Sequence, residues 1–201
     1  MRDERRIRYG AEELQSHPSE SDGGTVVRPL QPGDLDAFTR FAMALAGEGR
    51  RFLKEDLSDP VKVFADYQRE TAAVRLAALD GAGETAGLAG AFAGEGWSSH
   101  VAEIRVVVGA AYRGRGVGRA LARAALLEAV KLGCSHVYVE VIAAQDALVA
   151  MFQDIGFEPE ALLVDFVRDS DGENRDLMLL THRVDVNQAR NRLWGMDEVA
   201  G

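Results

Sequence analysis

The chain has 201 residues, 47% of them hydrophobic, and a formal net charge of −9. That length suits one globular domain with extra residues at its ends and is enough to bury a core. The acidic balance argues against a nucleic-acid partner, which wants a basic surface; it suits a cationic partner such as an amine, or serves solubility.

Cys134 is the only cysteine, so no disulfide within the chain and no cysteine-based zinc site is possible, and a reducing cytoplasm is the expected compartment. No apolar run approaches the ~18 residues of a membrane span, and the N-terminus lacks the apolar core of a signal peptide. His17, His100, His136 and His182 show no metal-ligand spacing, so no metal is expected.

Residues 1–24 are charged and polar and read as a flexible arm, in which Ile7 and Tyr9 could add a short edge strand. A domain is expected over 25–183, opening with a short strand at Thr25-Val26-Val27-Arg28. Gln31-Pro32-Gly33-Asp34 follows as a helix start, with Pro at the first helical position and an acid in the first turn. Leu35, Phe38, Ala42 and Leu45 then recur at helical spacing. Ser58-Asp59-Pro60 starts a second helix carrying Val63, Phe64 and Tyr67. Residues 73–94 read as a hairpin turning at Asp80-Gly81-Ala82-Gly83. Its returning strand is rich in Gly and Ala, as close approach by a neighbour would require. Val101 to Val108 is a third strand, and a helix runs from Val117 to about Leu132.

Val137, Val139 and Val141 alternate on another strand. A short helix over 146–154 ends at Gly156, and two strands flank Asp169-Ser170-Asp171-Gly172-Glu173-Asn174. That stretch lacks the further ligands of a calcium loop and reads as a polar hairpin turn. A polar tail covers 184–201. The order is β-α-α-β-β-β-α-β-α-β-β. Strand 101–108, helix 117–132 and strand 137–142 make a βαβ unit, whose two strands should be parallel inside an otherwise antiparallel sheet.

Residues 105–121 carry most of the functional information. Val106, Val107 and Val108 feed a basic, glycine-rich turn (Arg113, Gly114, Arg115, Gly116, Gly118) that opens a helix. The first N–H groups of a helix have no internal partner and its dipole favours an anion, so this is a phosphate cradle. Gly-x-Gly-x-x-Gly fails here, because Arg119 or Leu121 stands where the third glycine belongs. Gly-Lys-Ser/Thr, needed for a P-loop, is absent.

In these residues the chain resembles the GNAT superfamily of acetyl-CoA-dependent N-acetyltransferases. Three features over about residues 25–183 carry the resemblance: Val106 to Gly118, Ile155-Gly156-Phe157 after a short helix, and the opening Val26-Val27-Arg28-Pro29-Leu30 with Pro32-Gly33-Asp34-Leu35. It implies an α/β (α+β) fold: a mixed, largely antiparallel central sheet of about six to seven strands, a central parallel βαβ unit and helices on both faces. It also implies acetyl-CoA as co-substrate and an amine acceptor, on a small molecule or a protein, with no nucleic acid, membrane or metal and a monomer or homodimer as the working form.

By this resemblance the backbone of Val106 and Val108, with Val107 between them, receives the pantetheine arm. Residues Arg113, Gly114, Arg115, Gly116, Val117 and Gly118 hold the pyrophosphate. Arg115, Arg119 and Arg123 follow one another at i, i+4 steps and share a helix face; Arg119 and Arg123 reach toward the nucleotide phosphates or form a solvated helix face. Where the family often has an amide-bearing Asn, this chain has Gln145. Where it often has a Tyr general acid, this chain has Phe152, which cannot protonate a thiolate.

An alkyl amine with a pKa near ~10.4 is mostly protonated at neutral pH, so a general base is expected. Glu103 is the first candidate and Glu140 the second; either could instead be a surface or ion-paired carboxylate. Tyr138 or water could replace the missing acid. Trp97-Ser98-Ser99-His100 lines the acceptor site or is an ordinary loop. The alternative function, suggested by Phe152, is a catalytically weak acyl-CoA-binding regulatory module.

Overall fold

The computed structural model describes residues 24–45, 54, 56–70, 73–169 and 171–184. The suggested strand at Ile7 and Tyr9 and the tail beyond Val184 lie outside them. The elements follow the predicted order. Strand β1 (Val26–Pro29) leads through a 3-10 turn at Pro32–Asp34 into helix α1 (Leu35–Ala44), and helix α2 is Pro60–Arg69. Strands β2 (Ala73–Leu79), β3 (Thr85–Ala93) and β4 (Val101–Val108) precede helix α3 (Val117–Lys131). Strand β5 (His136–Ile142), helix α4 (Asp146–Asp154) and strands β6 (Glu158–Arg168) and β7 (Asn174–Arg183) complete the fold.

The helix starts have identifiable causes. At α2 the Asp59 carboxylate accepts from the Lys62 backbone N–H at 3.1 Å and Pro60 takes the first helical position, where a missing N–H costs nothing. Before α1, Asp34 accepts from the Gln31 N–H at 2.7 Å and pairs with Arg28 at 2.7 Å, which ties β1 to the helix entry.

The seven strands among the described residues join one sheet in the order β1-β2-β3-β4-β5-β7-β6. Every neighbouring pair is antiparallel except β4 and β5, as the βαβ reading required. Strands β6 and β7 are longer than predicted. Their hairpin turn is held by Asp169, which accepts from the N–H groups of Asp171 and Glu173 and pairs with Arg175 at 2.9 Å. The polar-turn reading of this segment therefore holds.

Each face of the sheet carries its own core. One is α3 and α4 against the strands, with Leu121, Ala125, Ile104, Val137, Val139 and Phe152 fully or nearly fully buried. The other is α1 and α2, with Phe38, Phe41 and Phe64 over Ala77 and Leu88. Alternation along the strands separates the two: Ile104 packs with the α3 side, whereas Val107 packs with the α1 side. The small residues of β3 have a packing reason. A Cβ on Gly87 would stand 2.7 Å from the Val107 carbonyl oxygen and 2.9 Å from Leu121, so glycine lets α3 sit down on the sheet.

Candidate active site

Strands β4 and β5 pair over only three rungs, ending at Glu103 and Tyr138. Beyond that rung β4 stays with β3, through Val108, while β5 stays with β7, through Ile142. Each strand is held by its own half of the sheet, so the two part. Among the described residues, no strand pairs with the β4 edge that faces the opening.

The opening is a cavity of about 1140 Å³. Val106, Val107 and Val108 form one wall, with Gly114, Gly116, Gly118, Arg113 and Arg119 at one end. Gln145, Leu148, Met151 and Phe152 of α4 and its entry form the opposite wall, and Lys54, Glu103 and Glu140 lie at the other end.

The glycine turn has the backbone an anion cradle needs. Gly114 and Gly116 have φ of 72° and 80°, the left-handed region that side chains disfavour, and Gly116 is the residue that caps α3. The exposed N–H groups of the first α3 turn therefore start at the cavity. Gly118 is helical; a Cβ there would meet Met151 and Val108 at ordinary contact, 3.5 Å.

The predicted donor-side residues do not all face the cavity. Val117 is buried in the core. Arg115 lies outside the lining, 5.9 Å from the centre of the Tyr112 ring, and Tyr112 donates to Asp80 at 2.6 Å. Arg119 spans from α3 to Asp154 of α4 at 2.6 Å while lining the cavity. Phe152 is wholly buried and meets Phe157 edge-on at 5.3 Å. The Gly-Phe signature thus sets a core contact beneath the cavity, with Gly156 at φ 89° making the turn.

At the far end, Glu103 and Glu140 point to the α1/α2 face from their separate strands and converge on one ammonium. Lys54 Nζ is 2.5 Å from Glu103 and 2.6 Å from Glu140. Arg105 adds a second cation on Glu103, donating to both its oxygens at 3.0 and 2.8 Å. Burial pushes the Glu103 carboxyl up, but the hydrogen bonds from Arg105 and Lys54 outweigh it and hold it below the usual carboxylate range. Burial likewise pulls the Lys54 ammonium down, and the two carboxylates more than compensate. Tyr138 lies outside the cavity lining; burial and the Glu103 charge push its hydroxyl up, which makes it a poorer proton donor. Trp97 is almost fully exposed in a 3-10 turn and does not line the cavity, so its loop reading holds.

A stack of rings and guanidiniums continues across this face. Arg75 lies 4.2 Å from the Tyr67 ring centre and 4.0 Å from that of Phe92, and Arg105 lies 4.1 Å from Phe92. Arg75 and Arg105 both pair with Gly90 in the ladder, so the Phe92 ring covers the rung where glycine leaves room. Sequence reading missed Lys54, Arg75, Phe92 and Arg105. The available signals were two arginines interrupting apolar strands and the scarcity of lysine, with only Lys54, Lys62 and Lys131 in the chain. Among the described residues no cluster of His, Cys, Asp or Glu could hold a metal, and no helix is long and apolar enough to cross a membrane.

The fold is a mixed sheet split at a glycine-capped helix, and comparison with known proteins gives it a family. The profile of the Acetyltransferase (GNAT) family matches residues 41–157, more than half the chain. Among solved structures, a GCN5-related N-acetyltransferase from Kribbella flavida aligns with a TM-score of 0.69 at 21% identity, covering 80% of this chain and 98% of that one. A ribosomal-protein-alanine N-acetyltransferase from Brucella melitensis gives 0.66 at 21% identity, covering 79% and 99%. A phosphinothricin acetyltransferase from Sinorhizobium meliloti, in complex with acetyl-CoA, gives 0.66 at 19%, covering 80% and 89%. No curated protein sequence matches the chain.

The chain belongs to the GNAT acetyltransferase family. By that membership it is an acetyltransferase.

Proposed function

We propose that the protein moves an acetyl group from acetyl-CoA to a primary amine, with Glu103 and Glu140 receiving the acceptor's ammonium and removing its proton. The observation that carries this reading is the break in the β4–β5 ladder after Glu103, which joins an anion cradle to a carboxylate pair through one cavity. The free β4 edge supports pantetheine binding in the manner of an added strand, along Val106 and Val108, with the same backbone donors facing a thioester oxygen. The N–H groups of residues 113–118 support pyrophosphate binding, and Arg113, Arg119 and Gln145 add polar groups to the lining.

The Phe152 ring offers no proton to the leaving sulfur. A thiol with a pKa near ~8.5 leaves tolerably as thiolate at neutral pH, and we assign its protonation to solvent. The buried Cys134, whose thiol burial pushes up, fits small core filler in a reducing cytoplasm.

A thermal-shift titration with acetyl-CoA on the wild type and Gly116→Glu tests the donor side, followed by CoA release over a panel of amines. Stabilisation of the wild type alone, with turnover that falls in Glu103→Gln, supports the enzyme. Phe152 favours one competing reading, an acyl-CoA-binding regulatory module; stabilisation with no turnover on any amine would support that instead.

A further inference from the structure

The carboxylate pair already holds a primary ammonium, and it belongs to the chain itself. Lys54 Nζ sits between Glu103 and Glu140, at 2.5 and 2.6 Å. It also lines the cavity that runs along Val106, Val107 and Val108 to Gly114 and Gly116. The Lys54 side chain is 39% exposed and is part of the cavity lining as well as paired. Lys62 and Lys131 are exposed on the outside of α2 and α3 and do not line this cavity.

We infer that Lys54 is an acyl acceptor: acetyl-CoA seated along β4 transfers its acetyl group to Lys54 of the same molecule. This rests on the acetyl-CoA reading given above. Placing amine and thioester in one cavity turns a bimolecular encounter into an intramolecular step. The ammonium gives up one proton through Glu103 or Glu140 to solvent, and the neutral nitrogen attacks the thioester carbonyl carbon. The N–C bond forms, the C–S bond breaks, the nitrogen sheds its second proton to become the amide N–H, and CoA leaves as a thiolate that takes up one proton. The products are Nε-acetyl-Lys54 and free CoA, and no oxidant, reductant or further reactant is needed. The amide is uncharged, so Glu103 and Glu140 lose the ammonium they share, while Arg105 stays on Glu103, and the vacated position can take an incoming ammonium.

The test incubates the full chain with acetyl-CoA and follows acetylation of each lysine by peptide mass spectrometry. Lys62 and Lys131 serve as internal measures of plain chemical acetylation. The expected result is modification of Lys54 about ten-fold or more faster than of the other two. The rate per molecule should not change with protein concentration, excess CoA should suppress it, and Glu140→Gln should slow it. Equal rates at all three lysines would overturn the inference, as would indifference to CoA or a rate that climbs with protein concentration. A thermal shift with acetyl-CoA is measured in parallel. A shift without Lys54 acetylation overturns this inference and leaves the donor reading intact; no shift overturns the donor reading as well.

Discussion

Glu103 and Tyr138 form the last rung at which β4 and β5 run side by side. One residue further along, each strand answers only to its other neighbour. The cavity is therefore a consequence of sheet pairing and not of a loop thrown over the surface. Glu103 stands at the apex of that split, its side chain only 9% exposed, between the cations of Lys54 and Arg105.

Because Glu103 and Glu140 share one ammonium, they should act as a unit. Glu103→Gln and Glu140→Gln should each lower kcat/KM for the best amine of a panel by about 10²-fold, the size of a general-base contribution. The double variant should lose far less than the product of the two, since either change already breaks the shared contact. KM for acetyl-CoA should hold steady. Steady-state kinetics of the four proteins check this, and fully multiplicative losses would show two independent roles.

The two glycines at the head of α3 should separate folding from binding. Gly116 sits at φ 80°, so Gly116→Ala should cost about 1 kcal/mol of stability from backbone strain. Gly118 has helical backbone and 3.5 Å of room, so Gly118→Ala should keep or slightly raise stability, by up to about 1 kcal/mol from helix propensity. It adds a methyl group to the cavity lining, however, and should weaken acetyl-CoA binding. Urea denaturation and calorimetric titration distinguish the two, and a stable Gly116→Ala protein would count against the strain.

A methyl group at Gly90 has nowhere to go while the Phe92 ring stays in place, because its Cβ would stand 2.6 Å from that ring. Gly90→Ala should therefore swing Phe92 away from Arg75 and Arg105. The expected loss is about 1–2 kcal/mol, in line with two cation–π contacts of roughly 0.5–1 kcal/mol each. Phe92→Leu should cost a similar amount, and the pair should be non-additive. Equilibrium unfolding of the single and double variants measures both quantities.

Asp34 should give the fold an acid-sensitive element. The hydrogen bond from Arg28 holds its carboxyl below the usual range, against burial, with further help from the Gln31 N–H. Protonation is thus harder in the folded chain than in the unfolded one. Its contribution is fully present above the ordinary aspartate value of about 3.9 and is lost as the pH falls through the lower folded-state value. Asp34→Asn should cost about 1.5–3 kcal/mol at neutral pH, the range for hydrogen bonds to charged groups. The gap to wild type should narrow only in the acid range. A gap that closed near neutrality would point to a different titrating group.

The order of elements was legible in the chain because each carries its own local signal. Pro60 after Asp59 opens α2, Asp80 to Gly83 turns the hairpin, and the valines of β5 alternate. The glycine turn was legible for the same reason: Gly114 and Gly116 need positive φ whatever surrounds them. Glu103 and Glu140 could be named as candidates, but their convergence could not be read. It depends on two strands separated by α3 lying parallel for three rungs and then parting.

Local chemistry, in short range, settled where helices, strands and the anion cradle lie, since caps, turns and periodicity act between near neighbours in sequence. Tertiary structure alone decided which charges meet. Lys54 reaches carboxylates 49 and 86 positions away, and Arg75 and Arg105 flank one ring only because their strands flank β3. Such contacts arise from sheet order and register, which no local stretch of sequence encodes.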